Sequence, residues 1–219
     1  MGNRPQGKIY AVGDIHGCLS HLERLIGKLP IRPEDVLVFI GDYIDRGPDS
    51  KGVVDYVLDL QKKCCTTVCL MGNHEQMFLD YLAGRKREMF LYNGGVETLI
   101  SYGMTGRRKM ELSDLPPGHA EFYGRLRHDY ETDDFIFVHA GLRPGIPLSN
   151  QDPDDLLWIR FEFIRSDFDF GKTVIFGHTV LSRTEPFRAA KKIGIDTGAV
   201  YGGRLTCLEL PDMKLFQVS

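Results

Sequence analysis

Two carboxylates, three imidazoles and one amide, Asp14, His16, Asp42, Asn73, His139 and His178, stand in short Gly-containing clusters spread along the chain. A mixed oxygen and nitrogen donor set without thiolate suits a borderline-to-hard divalent ion such as Mn²⁺, Fe or Zn²⁺. Six side chains exceed what one catalytic metal can take while keeping a position for water. They suit two ions sharing a bridging carboxylate, a pair that acidifies a water between them and clamps the oxygens of an in-line displacement at phosphorus. Two arginines fit the same chemistry. Arg46, inside Gly41-Asp-Tyr-Ile-Asp-Arg-Gly47, offers a fork of donors to phosphate oxygens, and Arg160, in Trp158-Ile-Arg, offers a second. His74 directly follows Asn73 and can face the same site without ligating. It is the candidate general acid for the leaving oxygen, with Asp45 as an orienting partner that favours its protonated form.

Five apolar runs must carry these clusters: Ile9 to Val12, Val36 to Ile40, Thr66 to Met71, Phe135 to Val138 and Thr173 to Phe176. Each reads as a buried strand, and each runs directly into one of the polar clusters. Between them, Leu19, Leu22, Leu25, Ile26 and Leu29 repeat at helical spacing, as do Val53, Val54, Val57, Leu58 and Leu60. Strands alternating with helices imply an α/β sheet, whose ligands sit outside the carboxyl ends of the strands. All five clusters should then converge on one edge. Beyond Gly194, the runs around Ile193, Leu205 and Leu215 read as short antiparallel strands closing a second sheet. The stretch from Gly84 to Asp134 reads as short helices broken at Gly94-Gly95, Gly103 and Pro116-Pro117.

Composition narrows the setting. The chain has 219 residues, 42% hydrophobic and 26% charged, with a net charge of −3, and no repeat or linker divides it, so we read one domain, residues 1–219. No stretch approaches the roughly 18 consecutive apolar residues of a membrane span. Met1 to Lys8 lacks the apolar core of a signal peptide. The odd count of five cysteines, without paired metal spacing, reads as reduced thiols in a cytoplasmic protein. The slightly acidic balance argues against duplex nucleic acid as a partner.

The motifs Gly13-Asp-Ile-His-Gly17, Gly41-Asp-Tyr-Ile-Asp-Arg-Gly47 and Gly72-Asn-His-Glu75, in this order, resemble those of the phosphoprotein phosphatase branch of the calcineurin-like binuclear metallophosphoesterases. The resemblance runs from Lys8 to about Thr197. It implies an α/β fold of two mixed β-sheets packed as a sandwich and flanked by helices, with the metal site at the carboxyl ends of the strands and 84–134 a helical, substrate-side insertion. It implies that Asp14, His16 and Asp42 hold one of two divalent ions, manganese first, with iron or zinc as alternatives. Asp42 would bridge to the second, held by Asn73, His139 and His178. It also implies phosphate contacts from Arg46 and Arg160, joined in substrate binding by Asn73 and His74, and an acid role for His74 backed by Asp45.

Substrate is left more open. His139-Ala140-Gly141 stands where the eukaryotic protein phosphatases have His-Gly-Gly, and the length and the Val-His-Ala-Gly-Leu-Arg-Pro-Gly stretch look more like the compact bacterial and phage serine/threonine phosphatases. That group includes diadenosine tetraphosphate hydrolases. The first expectation is hydrolysis of phosphomonoesters, foremost phosphoserine and phosphothreonine in proteins, by in-line attack of a hydroxide bridging two metal ions. The second keeps the chemistry and takes a dinucleoside polyphosphate or another nucleotide. A non-catalytic metal-binding scaffold would have lost a ligand, Arg46 or His74, and none is missing. The sequence points to no regulatory subunit.

Other residues read as structural. His21, His119 and His128 are expected on the surface, and Cys64, Cys65 and Cys69 as buried inert thiols. Tyr43 is placed near the cleft and Tyr102 in packing. Arg85-Lys86-Arg87 and Arg107-Arg108-Lys109 are expected to be solvated; on the rim of a phosphatase cleft they would steer an acidic substrate. Gly171-Lys-Thr173 lacks the earlier glycine of a phosphate loop, because Ser166 stands there.

Overall fold

The computed structural model describes residues 5–106 and 111–219. In chain order the strands are β1 (Ile9–Val12), β2 (Val36–Phe39), β3 (Thr66–Cys69), β4 (Asp129–Glu131), β5 (Phe135–Val138), β6 (Thr173–Phe176), β7 (Phe187–Ala189), β8 (Lys192–Gly194), β9 (Leu205–Leu210) and β10 (Lys214–Val218). The helices are α1 (Leu19–Ile26), α2 (Ser50–Lys63), α3 (Asn73–Leu82), α4 (Arg87–Phe90), α5 (Val96–Ser101), α6 (His119–Gly124), α7 (Pro153–Trp158) and α8 (Phe161–Ile164). The basic triplet at 107–109 lies outside the described residues.

Two five-stranded mixed sheets form, in the orders β10-β9-β1-β2-β3 and β4-β5-β6-β8-β7. Each has three adjacent parallel strands, β1-β2-β3 and β5-β6-β8, edged by antiparallel ones. Continuous apolar runs such as Ile-Tyr-Ala-Val and Val-Leu-Val-Phe are what strands buried on both faces require. Their alternation divides the core into layers. Ala11, Val38, Phe137 and Ile175 fill the space between the sheets. On the outer face of the first sheet, Tyr10, Val12, Leu37 and Phe39 pack against Leu22 and Leu25 of α1 and Val53, Val54 and Val57 of α2. On the outer face of the second, Val138, Val174 and Phe176 pack against Leu156 of α7 and Phe163 of α8. Asp49 caps α2 by accepting from the Gly52 N–H at 2.8 Å, and Asp152 caps α7, with Pro153 at its first position.

The C-terminal strands correct the sequence reading. β9 pairs antiparallel with β1 and β10 with β9, so both complete the first sheet. Only β8 joins the second, and it runs parallel to β6. A local pattern identifies a strand; which distant strand accepts its hydrogen bonds is settled by tertiary packing, and all six residues of β9 are buried there. The described residues of 84–134 form α4, α5 and α6, with a π turn at Leu91–Gly95 kinked at Gly94 joining α4 to α5, and they also contribute β4. His119, expected at the surface, is buried: its Nε2 bonds Asp55 at 2.8 Å and its Nδ1 bonds the Tyr102 hydroxyl at 2.8 Å. His21 and His128 are half-buried. Cys65 and Cys69 are buried, whereas Cys64, at the end of α2, is exposed. Tyr43 lies in the core against Phe39 and Phe122, away from the cleft. Tyr102 is half-buried in packing, as expected.

Candidate metal centre

The polar clusters do converge. Asp14 and His16 follow β1, Asp42 follows β2, Asn73 opens α3 after β3, His139 follows β5 and His178 follows β6. All six are buried. Among the described residues, five of the eight non-glycine residues with positive φ are His16, Asp42, Asp45, Arg46 and His178. Left-handed backbone is costly for such residues and persists only where surrounding contacts over-determine it, so strain is concentrated at this edge. Gly41, at φ +100, permits the turn: a Cβ there would lie 2.7 Å from Gly72 backbone atoms and 2.9 Å from the His139 ring.

Glu75 organises the turns. Its fully buried carboxylate accepts from the Asp42, Tyr43 and Gly72 N–H groups, each at 2.9 Å, and from Ile44 N–H at 3.3 Å. One side chain thereby binds the β2 turn to the β3 turn and holds Asp42 beside Asn73. The sequence reading assigns Glu75 no role, although its place in Gly-Asn-His-Glu, without a surface pattern around it, was the available sign.

The imidazoles are fixed by their backbone contacts. His16 Nδ1 donates to the Ile44 carbonyl and His139 Nδ1 to the Ile40 carbonyl, both at 2.9 Å. A carbonyl can only accept, so in each neutral ring Nε2 carries the lone pair. His16 Nε2 lies 3.4 Å from an Asp42 oxygen, and Arg46 Nη1 approaches it at 2.5 Å. His139 Nε2 faces Asn73 Oδ1 at 2.9 Å and Asp42 Oδ1 at 3.5 Å. His178 Nδ1 lies 2.9 Å from the same amide oxygen, and its Nε2 has no hydrogen-bond partner. The His139 lone pair, set against two oxygens without a hydrogen between them, and the unpartnered His178 Nε2 are what a cation resolves, while Arg46 supplies a hydrogen to His16 Nε2, so the donor chemistry fits a metal.

Electrostatics agree. Burial lowers the pKa of His16, His139 and His178, which keeps them neutral and able to ligate. Burial acts to raise that of Asp42, but His139, His74, His16 and His178 around it hold its carboxyl well below the usual range. Among the described residues, two groups of side chains have ligating atoms within 4.8 Å of one another, His16-Asp42-His74 and Asp42-His139-His178, and Asp42 belongs to both. Asp14 is in neither; its carboxylate accepts from the His178 N–H at 3.0 Å. His74 appears in the first, but its Nδ1 is engaged by Asp45 Oδ2 at 2.6 Å and its Nε2 stands 3.9 Å from Asp42.

The arginines flank this edge. Arg46 lies with its guanidinium 5.5 Å from the Tyr201 ring centre, and Arg160 Nη1 donates to the His178 carbonyl at 3.2 Å and to Thr179 Oγ1 at 3.3 Å. Asp196, two residues past β8, is a further buried carboxyl at this edge. Burial, reinforced by Asp42, pushes its pKa up to about 6. The sequence reading places it in a strand-like run without a role, yet it is another polar residue following a parallel strand, the same signal that marks the rest. Between α3 and α7 opens a groove of about 520 Å³ lined by Met77, Asp80, Met89, Asp154, Trp158 and Glu162 among others, with none of the candidate ligands in its wall. The Trp158 ring stands edge-on to His178 at 6.1 Å.

Comparison with known proteins gives the same direction. The family described as calcineurin-like phosphoesterase matches residues 7–192. The serine/threonine-protein phosphatase 1 of Salmonella typhimurium is 36% identical over 207 residues, covering 90% of this chain and 89% of that protein. The asymmetrical bis(5′-nucleosyl)-tetraphosphatase PrpE of Halalkalibacterium halodurans is 28% identical over 234 residues, covering 94% and 92%. Among solved structures, a crystal structure of a proposed diadenosine tetraphosphatase superposes with a TM-score of 0.73 at 25% identity, covering 100% of this chain and 98% of that one.

Proposed function

The chain belongs to the calcineurin-like phosphoesterase family, and from that premise we propose that it hydrolyses phosphomonoesters, foremost phosphoserine and phosphothreonine in proteins, at a centre of two divalent ions. Family membership makes it a metal-dependent phosphoric ester hydrolase. The observation that carries the site assignment is the Asp42 carboxylate shared by two buried donor groups. In this reading Asp14, His16 and Asp42 hold one ion and Asn73, His139 and His178 hold the other with Asp42 between them, manganese being the first choice. Ions bound there supply Lewis-acid polarisation of phosphate oxygens and a water of lowered pKa.

The protein's own groups do the rest. Arg46 and Arg160 present guanidinium donors to the phosphate oxygens, with Asn73 and His74 completing the phosphate contacts. His74, its Nδ1 tied to Asp45, turns Nε2 into the site and passes its proton there to the leaving oxygen. Residues 84–134 stand on the substrate side of a single domain. Five cysteines free of disulfides fit a cytoplasmic location, and among the described residues no helix is long and apolar enough to cross a membrane.

The Salmonella relative, at 36% identity, supports the phosphoprotein reading, whereas the groove is of mixed charge, with Asp80 paired to Arg85 and Lys86 and Asp155 to Arg143. The PrpE relative and the half-exposed Tyr201 ring beneath Arg46 favour the second reading, a dinucleoside tetraphosphate whose base could stack there. Measuring kcat/KM on a phosphoserine peptide and on diadenosine tetraphosphate under one Mn²⁺ condition decides between them. Higher kcat/KM on the peptide is expected, and the reverse order would move the chain to the nucleotide hydrolases.

A further inference from the structure

We infer that Thr98, on α5 in the middle segment, is a positioning residue of the acid pair: it holds Asp45 so that Asp45 fixes His74. The inference rests on the reading of His74 as the acid. Asp45 and Arg46 are consecutive non-glycine residues in the left-handed region, at φ +71 and +69, and such a pair needs outside contacts to keep it. Those contacts come from the start of α2 and from the middle segment. Asp45 N–H donates to Ser50 Oγ at 3.0 Å and to Thr98 Oγ1 at 2.9 Å, and Arg46 N–H donates to the Gly94 carbonyl at 3.0 Å.

The same hydroxyl also grips the carboxylate. Thr98 Oγ1 donates to Asp45 Oδ1 at 2.6 Å while Asp45 Oδ2 accepts from His74 Nδ1, also at 2.6 Å. Thr98 has a single hydroxyl hydrogen, and the carboxylate takes it. Its lone pairs therefore accept from Asp45 N–H and from Ser50 Oγ, 2.9 Å away. Every donor in this set has an acceptor. Thr98 closes a ring on Asp45 through both backbone and side chain, and that ring sets the angle at which Asp45 meets the His74 imidazole. Thr98, Ser50 and Asp45 show no exposed surface, so water has no access to replace the missing hydroxyl. His119 ties the same helices together farther along, between Asp55 and Tyr102, without touching Asp45. It supplies a packing control.

The test uses the Mn²⁺-loaded protein and reads kcat on two esters that differ in leaving group, p-nitrophenyl phosphate and phenyl phosphate. A leaving oxygen of high pKa depends on proton transfer and one of low pKa does so far less. Thr98→Val is expected to lower kcat on phenyl phosphate by about 10- to 100-fold, the scale of losing a supporting hydrogen bond, with a much smaller loss on p-nitrophenyl phosphate and little change in KM. Thr98→Ser should restore both rates, and His119→Gln should leave their ratio as in the wild type. Equal losses on both esters in Thr98→Val, or no rescue by a folded Thr98→Ser, would overturn the inference. If Thr98→Val does not fold, Thr98→Cys, a weak donor of similar size, should show an intermediate leaving-group bias, and a uniform loss there would count against Thr98. His74→Asn run alongside separates the failures: a bias in His74→Asn without one in Thr98→Val refutes Thr98 alone, and no bias in His74→Asn refutes the acid reading itself.

Discussion

The strand-end loops and the 84–134 segment contribute to the same site in opposite ways. The loops, with the first residue of α3, supply every candidate ligand among the described residues, on positions that stand beside buried strands. Among its described residues the middle segment supplies no candidate ligand. It supplies a threonine hydroxyl and a glycine carbonyl that hold Asp45 and Arg46 in a backbone conformation they would not keep alone. Groups that touch the reacting atoms must be of few chemical types, whereas groups that hold them need only a hydrogen bond in the right place.

That contrast can be broken at either end. Asp42→Asn strikes the loops where both donor groups meet. Loss of metal from both positions and a fall in kcat of about 10⁴-fold are expected, the equivalent of several kcal/mol of metal-derived stabilisation. Metal analysis that finds two ions still bound would deny Asp42 its bridging place. His74→Asn should cost about 10³-fold in kcat with metal content unchanged, and a parallel loss of metal would move His74 among the ligands, where distance alone also groups it. In the middle segment, Gly94→Ala places a Cβ 2.6 Å from Arg46 Cγ at φ +95. A loss of about 1–3 kcal/mol in unfolding free energy is expected, with metal content retained; wild-type stability would remove Gly94 from the support of Arg46.

The smallest effect belongs to His119. Burial lowers its pKa below the ordinary 6.5, so the unfolded chain takes up this proton first as pH falls. Its contribution to stability is therefore present above pH 6.5 and is lost as pH drops through that value. His119→Gln should flatten the stability-pH curve measured by urea unfolding below that pH, and a curve of unchanged slope would show that His119 does not contribute to it.

The contrast also explains what the sequence reveals. The parallel strands are legible because burial on both faces demands unbroken apolar runs, and Asp14, His16, Asp42, Asn73, His139 and His178 are legible because each ends such a run. The partner of β9 is not, since pairing with β1 about two hundred residues earlier leaves no local mark. His119 reads as a surface residue because its partners, Asp55 and Tyr102, are distant in sequence and bring no motif. Thr98, Gly94 and Glu75 act through single hydrogen bonds or bare backbone, and a threonine in Val-Glu-Thr-Leu-Ile looks like any helical residue.

The central claim is that the buried donor set makes this chain a metal-dependent phosphomonoesterase. Stripping the protein with a chelator and titrating Mn²⁺ back while following p-nitrophenyl phosphate hydrolysis tests it most directly. Activity should be absent without metal and rise to a plateau at two equivalents per chain. A metal-free protein that hydrolyses the ester, or one that stays inactive with two ions bound, would contradict the account.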